Sequence, residues 1–321
     1  MNHLRPESDL DVVLLTNPAA NRGRARVTGY QVQSYLEQAG HRVQHELPAD
    51  VSMTYSMVAQ AVKDQKRVIA VGGDGFIHHV VQSCAETGGT LGIVPAGTGN
   101  DFAFGLNLPK SIEQATQAAT APAEPCDLLK FESATGEVRY GASIATCGFS
   151  AAVNIKAESM KWPRGPLKYT VATLMKVMRL QRYKFQVRVD GEPINGTCLM
   201  IAIANTCAFG GGMQIAPEAR PSSGFAELVV IRDTSAITLL RMLPKTFKGA
   251  HVHHPAVGII SGTQFEIQMT HSNSSQNCRL RADGEDVGSL SQTVTVVSGG
   301  LRVAGLSEGH SPASEGRDTN G

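Results

Sequence analysis

Two segments decide the fold of this chain, VIAVGGDGF at residues 68–76 and LGIVPAGTGNDFA at residues 91–103. In each, a short run of apolar residues ends in glycines, with an Asp among them or shortly after them. This pattern predicts a buried strand that opens into a loop, where glycine lets backbone N–H groups approach an anion. Asp74 and Asp101 add carboxylates that can hold Mg²⁺ beside a phosphate. Two such loops close together in the sequence indicate a nucleotide site.

Each loop also has a purely structural interpretation. Residues 72–75 can form an ordinary turn, and Asn100 with Asp101 can begin a helix. That interpretation requires two independent glycine loops at neighbouring strand ends, so we favour a bound ligand. No Gly-Lys-Ser/Thr accompanies either loop and no GxGxxG follows the first strand. The chain therefore carries neither a P-loop nor the usual dinucleotide-binding motif.

Composition and charge exclude several classes of protein. The 321 residues are 42% hydrophobic and 18% charged, as in an ordinary globular protein long enough for two domains. The net charge of +1 gives no reason to expect nucleic acid as a partner. The six cysteines form no CxxC pair, so we expect reduced thiols rather than a zinc site or disulfides.

Signals for membrane insertion are weak. The N-terminus has no apolar segment of the kind that a signal peptide needs. The longest apolar stretch, residues 198–209, is shorter than the roughly 20 residues of a spanning helix. We therefore expect a cytoplasmic protein that meets any lipid from outside the bilayer, as a peripheral protein at the inner membrane face.

Hydrophobic periodicity divides the chain into two parts. Before residue 121, strand and helix patterns alternate, which predicts an α/β domain with a mostly parallel sheet. After the segment APAEP at residues 121–125, strands that alternate apolar and polar residues dominate. The predicted units are an α/β domain at 9–126, completed by a last strand near 300–306, a mostly β domain at 127–299, and a disordered tail at 307–321.

A helix predicted near residues 166–181 is amphipathic. Its apolar side consists of Val171, Leu174, Met175 and Met178, and its basic side of Lys168, Lys176, Arg179 and Arg182. Just before it come Lys161, Trp162 and Arg164. Such a helix can settle on anionic lipid headgroups. It can also pack on the sheet and leave its basic side in water, and we favour this second interpretation.

Several motifs, in their order along the chain, resemble the diacylglycerol kinase catalytic family, which includes bacterial soluble lipid kinases and sphingosine kinases and is related to NAD kinases. In the first half they are NP at residues 17–18, GGDG at 72–75 and PAGTGNDFA at 95–103. In the second half they are GGGMQIAPEA at 210–219, Gly249 with His251, and DGE at 283–285. The resemblance covers roughly residues 10–306. GGDG alone is shared with NAD kinases, whereas the segment GTGNDFA favours the lipid kinases.

The resemblance implies a two-domain kinase, in which the α/β domain holds ATP and a β-sandwich domain closes the cleft. The residues implied to hold the nucleotide are Asn17, Gly72, Gly73, Asp74, Gly75, Gly97, Thr98, Gly99, Asn100 and Asp101. Asp74 would organise Mg²⁺ and the phosphates, and Glu285 would be the general base with Asp283 beside it. Spacing alone favours a different interpretation of residues 283–285, a hairpin turn.

Four departures from the family pattern weaken a simple transfer of function. Phe76 stands where the family usually has Thr, His78 and His79 replace an Asn-Glu pair, and Phe104 replaces a frequent Arg. Ser223 stands at a position whose Asp belongs to an Mg²⁺ site in bacterial members, and a hydroxyl is a poor replacement for a carboxylate. These changes leave open an altered substrate or a reduced activity.

The sequence thus predicts an ATP- and Mg²⁺-dependent kinase that phosphorylates a hydroxyl of a diacylglycerol-like or other lipid alcohol at a membrane surface. One alternative is a kinase of a soluble substrate, as in the NAD kinases. Another is a catalytically weakened homologue that binds a nucleotide or a lipid. A homodimer is left open.

Overall fold

The computed structural model describes residues 9–160, 162, 167–271, 278–289 and 291–306. The predicted tail at 307–321, together with Lys161 and Arg164, lies outside the described residues. Among the helices of the described part, none has the length and apolar character needed to cross a membrane.

The first half alternates strands and helices as the periodicity predicts. Its elements are β1 (Asp11–Thr16), α1 (Arg24–Gln38), β2 (Arg42–Glu46), α2 (Val51–Lys63), β3 (Arg67–Gly72), α3 (Asp74–Thr87), β4 (Thr90–Pro95), α4 (Asp101–Gly105) and α5 (Ile112–Ala119). β1 pairs in parallel with β2 and β3, and β3 pairs in parallel with β4. The carboxyl ends of these strands therefore lie at one edge of the sheet, which is where ligands bind in such folds.

β3 shows why this half forms a parallel sheet. All six of its residues are buried, because helices cover both faces of the sheet and neither face meets water. The helices begin where polar side chains satisfy their free N–H groups. Asp50 accepts a bond from Met53 N at 2.8 Å at the start of α2, and Ser111 accepts one from Gln114 N at the start of α5.

The second half is mostly antiparallel. Its elements are β5 (Ala123–Ser133), β6 (Val138–Gly141), β7 (Ile144–Gly148), α6 (Phe149–Ser159), α7 (Leu167–Met178), β8 (Tyr183–Val189), β9 (Glu192–Ala204), β10 (Ala226–Arg232), α8 (Ala236–Thr246), β11 (Val257–Gly262), β12 (Gln264–His271), β13 (Arg279–Ala282), β14 (Glu285–Ser289) and β15 (Ser291–Ala304). β8 alternates strictly between buried and exposed residues. Its buried side joins a β-sandwich core whose large side chains include Phe131, Phe185, Ile201 and Phe265.

One strand connects the two halves. β15 pairs antiparallel with β12 and along most of β5, and then Arg302 and Val303 pair in parallel with Thr90 and Leu91 of β4. β5 already begins at Ala123, so most of the segment where the sequence changes character lies inside a strand rather than in a linker. Because β5 and β15 pair along almost their whole length, the exact domain boundaries stay a prediction.

Candidate active site

The two glycine loops lie against each other, backbone to backbone. A Cβ atom built on Gly97 would come within 2.4 Å of the Cα of Gly73, and one built on Gly73 would come within 3.1 Å of the Cα of Gly97. Asn17, which follows β1, donates its N–H to the carbonyl of Val71 at 3.1 Å, so it lies at the same edge. The structure thus brings the predicted nucleotide residues together at the carboxyl ends of three parallel strands.

Asp74, the first residue of α3, links the first loop to the second. One oxygen of its carboxylate accepts the N–H of Asn100 at 2.7 Å, and the other accepts the N–H of Asp101 at 2.6 Å. A Cβ atom on Gly99 would lie 2.6 Å from the Asp74 carboxylate, so a side chain at this position would displace the carboxylate from its bonds. Burial raises the pKa of Asp74, the nearby charge of Asp283 raises it further, and the backbone N–H bonds oppose both effects.

Asn100 shapes the second loop. Its backbone is left-handed (φ +57°), a conformation that Asn tolerates better than most residues. Its side chain accepts the N–H of Gly97 at 2.9 Å and donates to the carbonyl of the same residue at 3.3 Å. Thr98 and Gly99 between them remain exposed at the edge of the loop, where a ligand can reach them.

Asp101 connects the second loop to the other half of the chain. Its carboxylate accepts the N–H of Gly210 at 2.6 Å and the N–H of Gly211 at 2.8 Å. Both glycines have positive φ, which turns their successive N–H groups toward one anion. Burial raises the pKa of Asp101 to about 6, the charges of Asp74 and Asp283 add to this effect, and the two N–H bonds oppose it.

Asp283 is buried between the halves and holds four hydrogen bonds. Its carboxylate accepts the N–H groups of Ala142 and Ser143, each at 2.9 Å, the hydroxyl of Ser143, and Nδ1–H of His78 at 3.1 Å. Burial works to raise the pKa of Asp283, but the bonds from His78, Ser143 and Ala142 outweigh burial and hold the pKa below its ordinary value. Asp283 is therefore an anchored anion.

The turn that carries Asp283 also positions Glu285. Asp283 and Gly284 both have positive φ, and Ala282 pairs with Glu285 across the two-residue hairpin between β13 and β14. The hairpin interpretation of this segment is therefore correct for its backbone. The side chain of Glu285 reaches the first glycine loop, since a Cβ atom on Gly75 would lie 3.1 Å from its Oε1. Within the described part of the chain, no hydrogen bond or ion pair fixes this carboxylate.

The residues that depart from the family pattern take structural positions around this site. The ring of Phe76 lies over Gly72, whose Cβ would come 2.6 Å from it, and contacts the core of the first half. His79 is half-buried, and burial lowers its pKa, with His78 adding to the effect and Glu285 opposing it. Phe104 is near Gly212. The contact between His78 and Asp283 could not be predicted, because the two residues are 205 positions apart in the sequence.

Ser223, predicted as the weak equivalent of an Mg²⁺ ligand, is turned toward protein groups. Its Oγ lies 2.8 Å from the carbonyl oxygens of both Arg220 and Phe225. The same turn is fixed by Asp127, a buried residue that the sequence analysis missed, whose carboxylate accepts the N–H of Gly224 at 2.7 Å. The hydroxyl thus stabilises the turn and brings no negative charge to a cation.

A metal held by protein side chains alone does not fit the described residues, because no three His, Cys, Asp or Glu side chains converge in them. Asp74 can still share a Mg²⁺ ion with phosphate oxygens and water, which is how Mg²⁺ is usually bound in phosphoryl transfer sites. Burial, and after it the charge of neighbouring carboxylates, raises the pKa of Asp74 and of Asp101, so a cation beside them would stabilise their ionised forms. The donor set therefore fits Mg²⁺ that arrives with a nucleotide.

Comparisons with known proteins match both halves. Residues 11–131 match the diacylglycerol kinase catalytic domain family, and residues 143–305 match the YegS C-terminal NAD kinase beta sandwich-like domain family. A diacylglycerol kinase from Mycobacterium tuberculosis is 31% identical over 296 residues, covering 91% of this chain and 94% of the relative. One from Bacillus subtilis is 25% identical over 283 residues, covering 86% and 90%.

Solved structures agree on the fold. A diacylglycerol kinase from Bacillus anthracis has a TM-score of 0.71 to this chain, with 18% identity, over 92% of this chain and 96% of that one. The chain thus combines an α/β domain with an NAD kinase-like β-sandwich, and the carboxylate of Glu285 faces the first glycine loop. This combination defines a phosphotransferase. The chain belongs to the diacylglycerol kinase family and is, at the level of that family, a lipid kinase.

Replacing Asp101 by Asn tests the carboxylate that joins the halves. Its pKa is about 6 in the folded chain and near 3.8 in the unfolded chain. Because the folded chain binds this proton more tightly, protonation of Asp101 stabilises the folded state. This stabilisation is complete below the pKa of the unfolded chain and is lost as the pH rises through the pKa of the folded chain. In urea unfolding, Asp101→Asn should therefore destabilise the protein more at about pH 4.5 than at about pH 7.

The control for this comparison is Asp190→Asn. Bonds from Thr263 lower the pKa of Asp190, so its contribution to stability is present above the unfolded pKa and falls only in stronger acid. The destabilisation by Asp190→Asn should not grow on acidification. A loss for Asp101→Asn that is the same at both pH values would contradict a raised pKa.

Replacing His78 by Ala tests the bond to Asp283. The change removes one of the four donors to a buried carboxylate, so the free energy of unfolding should fall by about 1–3 kcal/mol. His78→Asn keeps a donor and should cost less. The matched control is His253→Ala, which changes an exposed His in the second half. Equal stability of His78→Ala and His253→Ala in urea unfolding would show that the bond to Asp283 is dispensable.

Proposed function

We propose that this protein transfers the γ-phosphate of ATP, with Mg²⁺, to a hydroxyl of a diacylglycerol-like lipid alcohol. The relatives from Mycobacterium tuberculosis and Bacillus subtilis are diacylglycerol kinases, which supports this class of acceptor. The single observation that carries the proposal is the position of Glu285. Its carboxylate, free of protein hydrogen bonds in the described residues, faces Gly75 in the first glycine loop.

ATP binds at the edge where the glycine loops meet. Asn17 and residues 72–75 and 97–101 supply short side chains and backbone N–H groups there. α3 begins in the first loop and α4 in the second, so the N-terminal end of each helix adds a partial positive charge. The N–H groups and helix ends attract the negatively charged phosphates, whereas the carboxylates of Asp74 and Asp101 in the same region repel them. A cation between the carboxylates and the phosphates is therefore required.

Asp74 is the residue that holds Mg²⁺ together with the nucleotide. Each of its oxygens accepts one backbone N–H, and each retains a lone pair for a metal. When bound, Mg²⁺ neutralises charge on the phosphates during transfer. Ser223 supplies no charge, so the second Mg²⁺ site of bacterial members is weakened or lost in this chain.

Glu285 acts as the general base that accepts the proton of the lipid hydroxyl. The base must lie close to the acceptor and the phosphate, and must be free to take a proton. Asp283, two residues earlier, is unsuited to this role because four hydrogen bonds occupy it. Asp283 instead fixes the hairpin so that Glu285 faces the glycine loop. The enzyme meets its lipid at a membrane surface.

The first experiment measures transfer of labelled γ-phosphate from ATP to lipid alcohols in mixed micelles with Mg²⁺, with NAD as acceptor in a parallel reaction. We expect labelled lipid with wild-type protein, and none with Asp74→Ala. Transfer to NAD would instead identify a kinase of a soluble substrate. If ATP binds and no acceptor is labelled, the chain is a weakened homologue and the proposal fails.

Replacing Glu285 by Gln tests the general base. Gln has nearly the same shape but cannot take the proton, so turnover should fall by roughly a hundredfold to ten-thousandfold. ATP affinity, measured by calorimetry, should stay within a factor of about 3 because the glycine loops are unchanged. The control, Glu266→Gln, alters an exposed Glu on β12 and should leave turnover as it is. Wild-type turnover in Glu285→Gln would place the base elsewhere.

A further inference from the structure

α7 and α8 present large apolar side chains to water. α7 buries only Ala172 and Val177, whereas Met178 is 79% exposed, and Ile237 of α8 is 62% exposed. The exposed apolar residues of this region, here named the α7–α8 surface, are Leu167, Leu174, Met175, Met178, Ile237, Leu240 and Phe247. The favoured expectation, that the apolar side of α7 packs on the sheet, is therefore wrong for Leu174, Met175 and Met178.

The charge of this surface has one sign. Neither residues 167–182 nor residues 236–248 contain an Asp or Glu. The cations on the two helices and just beyond their ends are Lys168, Lys176, Arg179, Arg241, Lys245 and Lys248, and none of them is in an ion pair within the described residues. Arg182, which the sequence placed on the same basic side, is instead paired with Asp233 at 2.8 Å.

Both helices that carry the α7–α8 surface lie near residues of the candidate active site. Tyr169, in the first turn of α7, has its pKa raised by burial and by the charges of Glu158, Asp101 and Asp74, so it lies within electrostatic reach of the site. At the other side, Thr246 at the end of α8 accepts the N–H of Gln214 at 2.8 Å. Gln214 closely follows the two glycines that bind Asp101.

We propose that the α7–α8 surface docks onto a bilayer that contains anionic lipid, and thereby turns the active site toward its acceptor. This inference rests on the proposed function. Leu, Met and Phe side chains can enter the boundary between headgroups and acyl chains, while Lys and Arg around them bind anionic headgroups. Uniform positive charge complements such a membrane and opposes a second copy of the same surface, because like charges would then face each other.

Vesicle binding tests the surface directly. Wild-type protein should sediment with vesicles of phosphatidylcholine and phosphatidylglycerol, much less with phosphatidylcholine alone, and less at high salt. Met178→Asp and the double variant Arg241→Glu with Lys245→Glu should each bind the anionic vesicles roughly tenfold or more weakly. The matched controls are Val27→Asp, an exposed apolar residue on α1, and Lys63→Glu at the end of α2. Wild-type binding by the surface variants would overturn the proposal.

Two further measurements separate this proposal from its alternatives. With a short-chain lipid alcohol dispersed in water, the surface variants should keep wild-type turnover, and with vesicles they should lose it. If wild-type protein binds vesicles but phosphorylates neither substrate, the proposed function fails and the docking surface stands. If sedimentation velocity finds a wild-type dimer that Met178→Asp dissociates, while vesicle binding is unchanged, the surface is a self-interface and the docking proposal is wrong.

Discussion

The rest of the site depends on one contact, in which the carboxylate of Asp74 accepts the backbone N–H groups of two successive residues. It fixes Asn100 and Asp101 against the first glycine loop. Asp101 then repeats the same device and accepts the N–H groups of Gly210 and Gly211. Two carboxylates in series thus connect the first loop, the second loop and the β-sandwich half. Each step uses successive N–H groups of a left-handed or glycine-rich backbone, which only a few residue types allow.

This arrangement explains why neighbouring acids behave differently. The donors to Asp74 and Asp101 are backbone N–H groups alone, which do not outweigh burial, so the pKa values of both residues are raised. Asp283 is as well buried, yet its pKa is lowered, because His78 and a hydroxyl join two backbone donors. The site therefore contains one anchored anion and two carboxylates that a nearby positive charge would stabilise. The carboxylate of Glu285 also approaches the first glycine loop, and within the described residues it accepts no hydrogen bond.

The sequence predicted the architecture better than the roles of single residues. The strands before residues 72–75 and 97–101 are recognisable because a buried parallel strand is a continuous apolar run that ends in glycine. α5 was missed because it has only eight residues, and α6 because its many small residues give little periodicity. The partners of Asp101 and Asp283 could not be predicted, since they lie more than 100 positions away and only the folded chain brings them together. The sequence showed the basic and apolar sides of α7, but it could not show that the apolar side chains are exposed to solvent.

The departures from the family pattern take a different meaning once their contacts are known. His78 replaces an amide and still donates a hydrogen bond to Asp283, so the hairpin that carries Glu285 keeps its anchor. Phe76 stands where the family usually has the hydroxyl of Thr, and its ring packs over Gly72 and against the core, so the first loop gains apolar contacts. Ser223 stabilises its own turn through backbone carbonyls. The changes at Phe76 and Ser223 replace possible ligand contacts by contacts within the protein, and the side chain of Glu285 still lies beside Gly75. At these two positions the local shape of the chain therefore rests on contacts within the protein, packing at Phe76 and hydrogen bonds at Ser223.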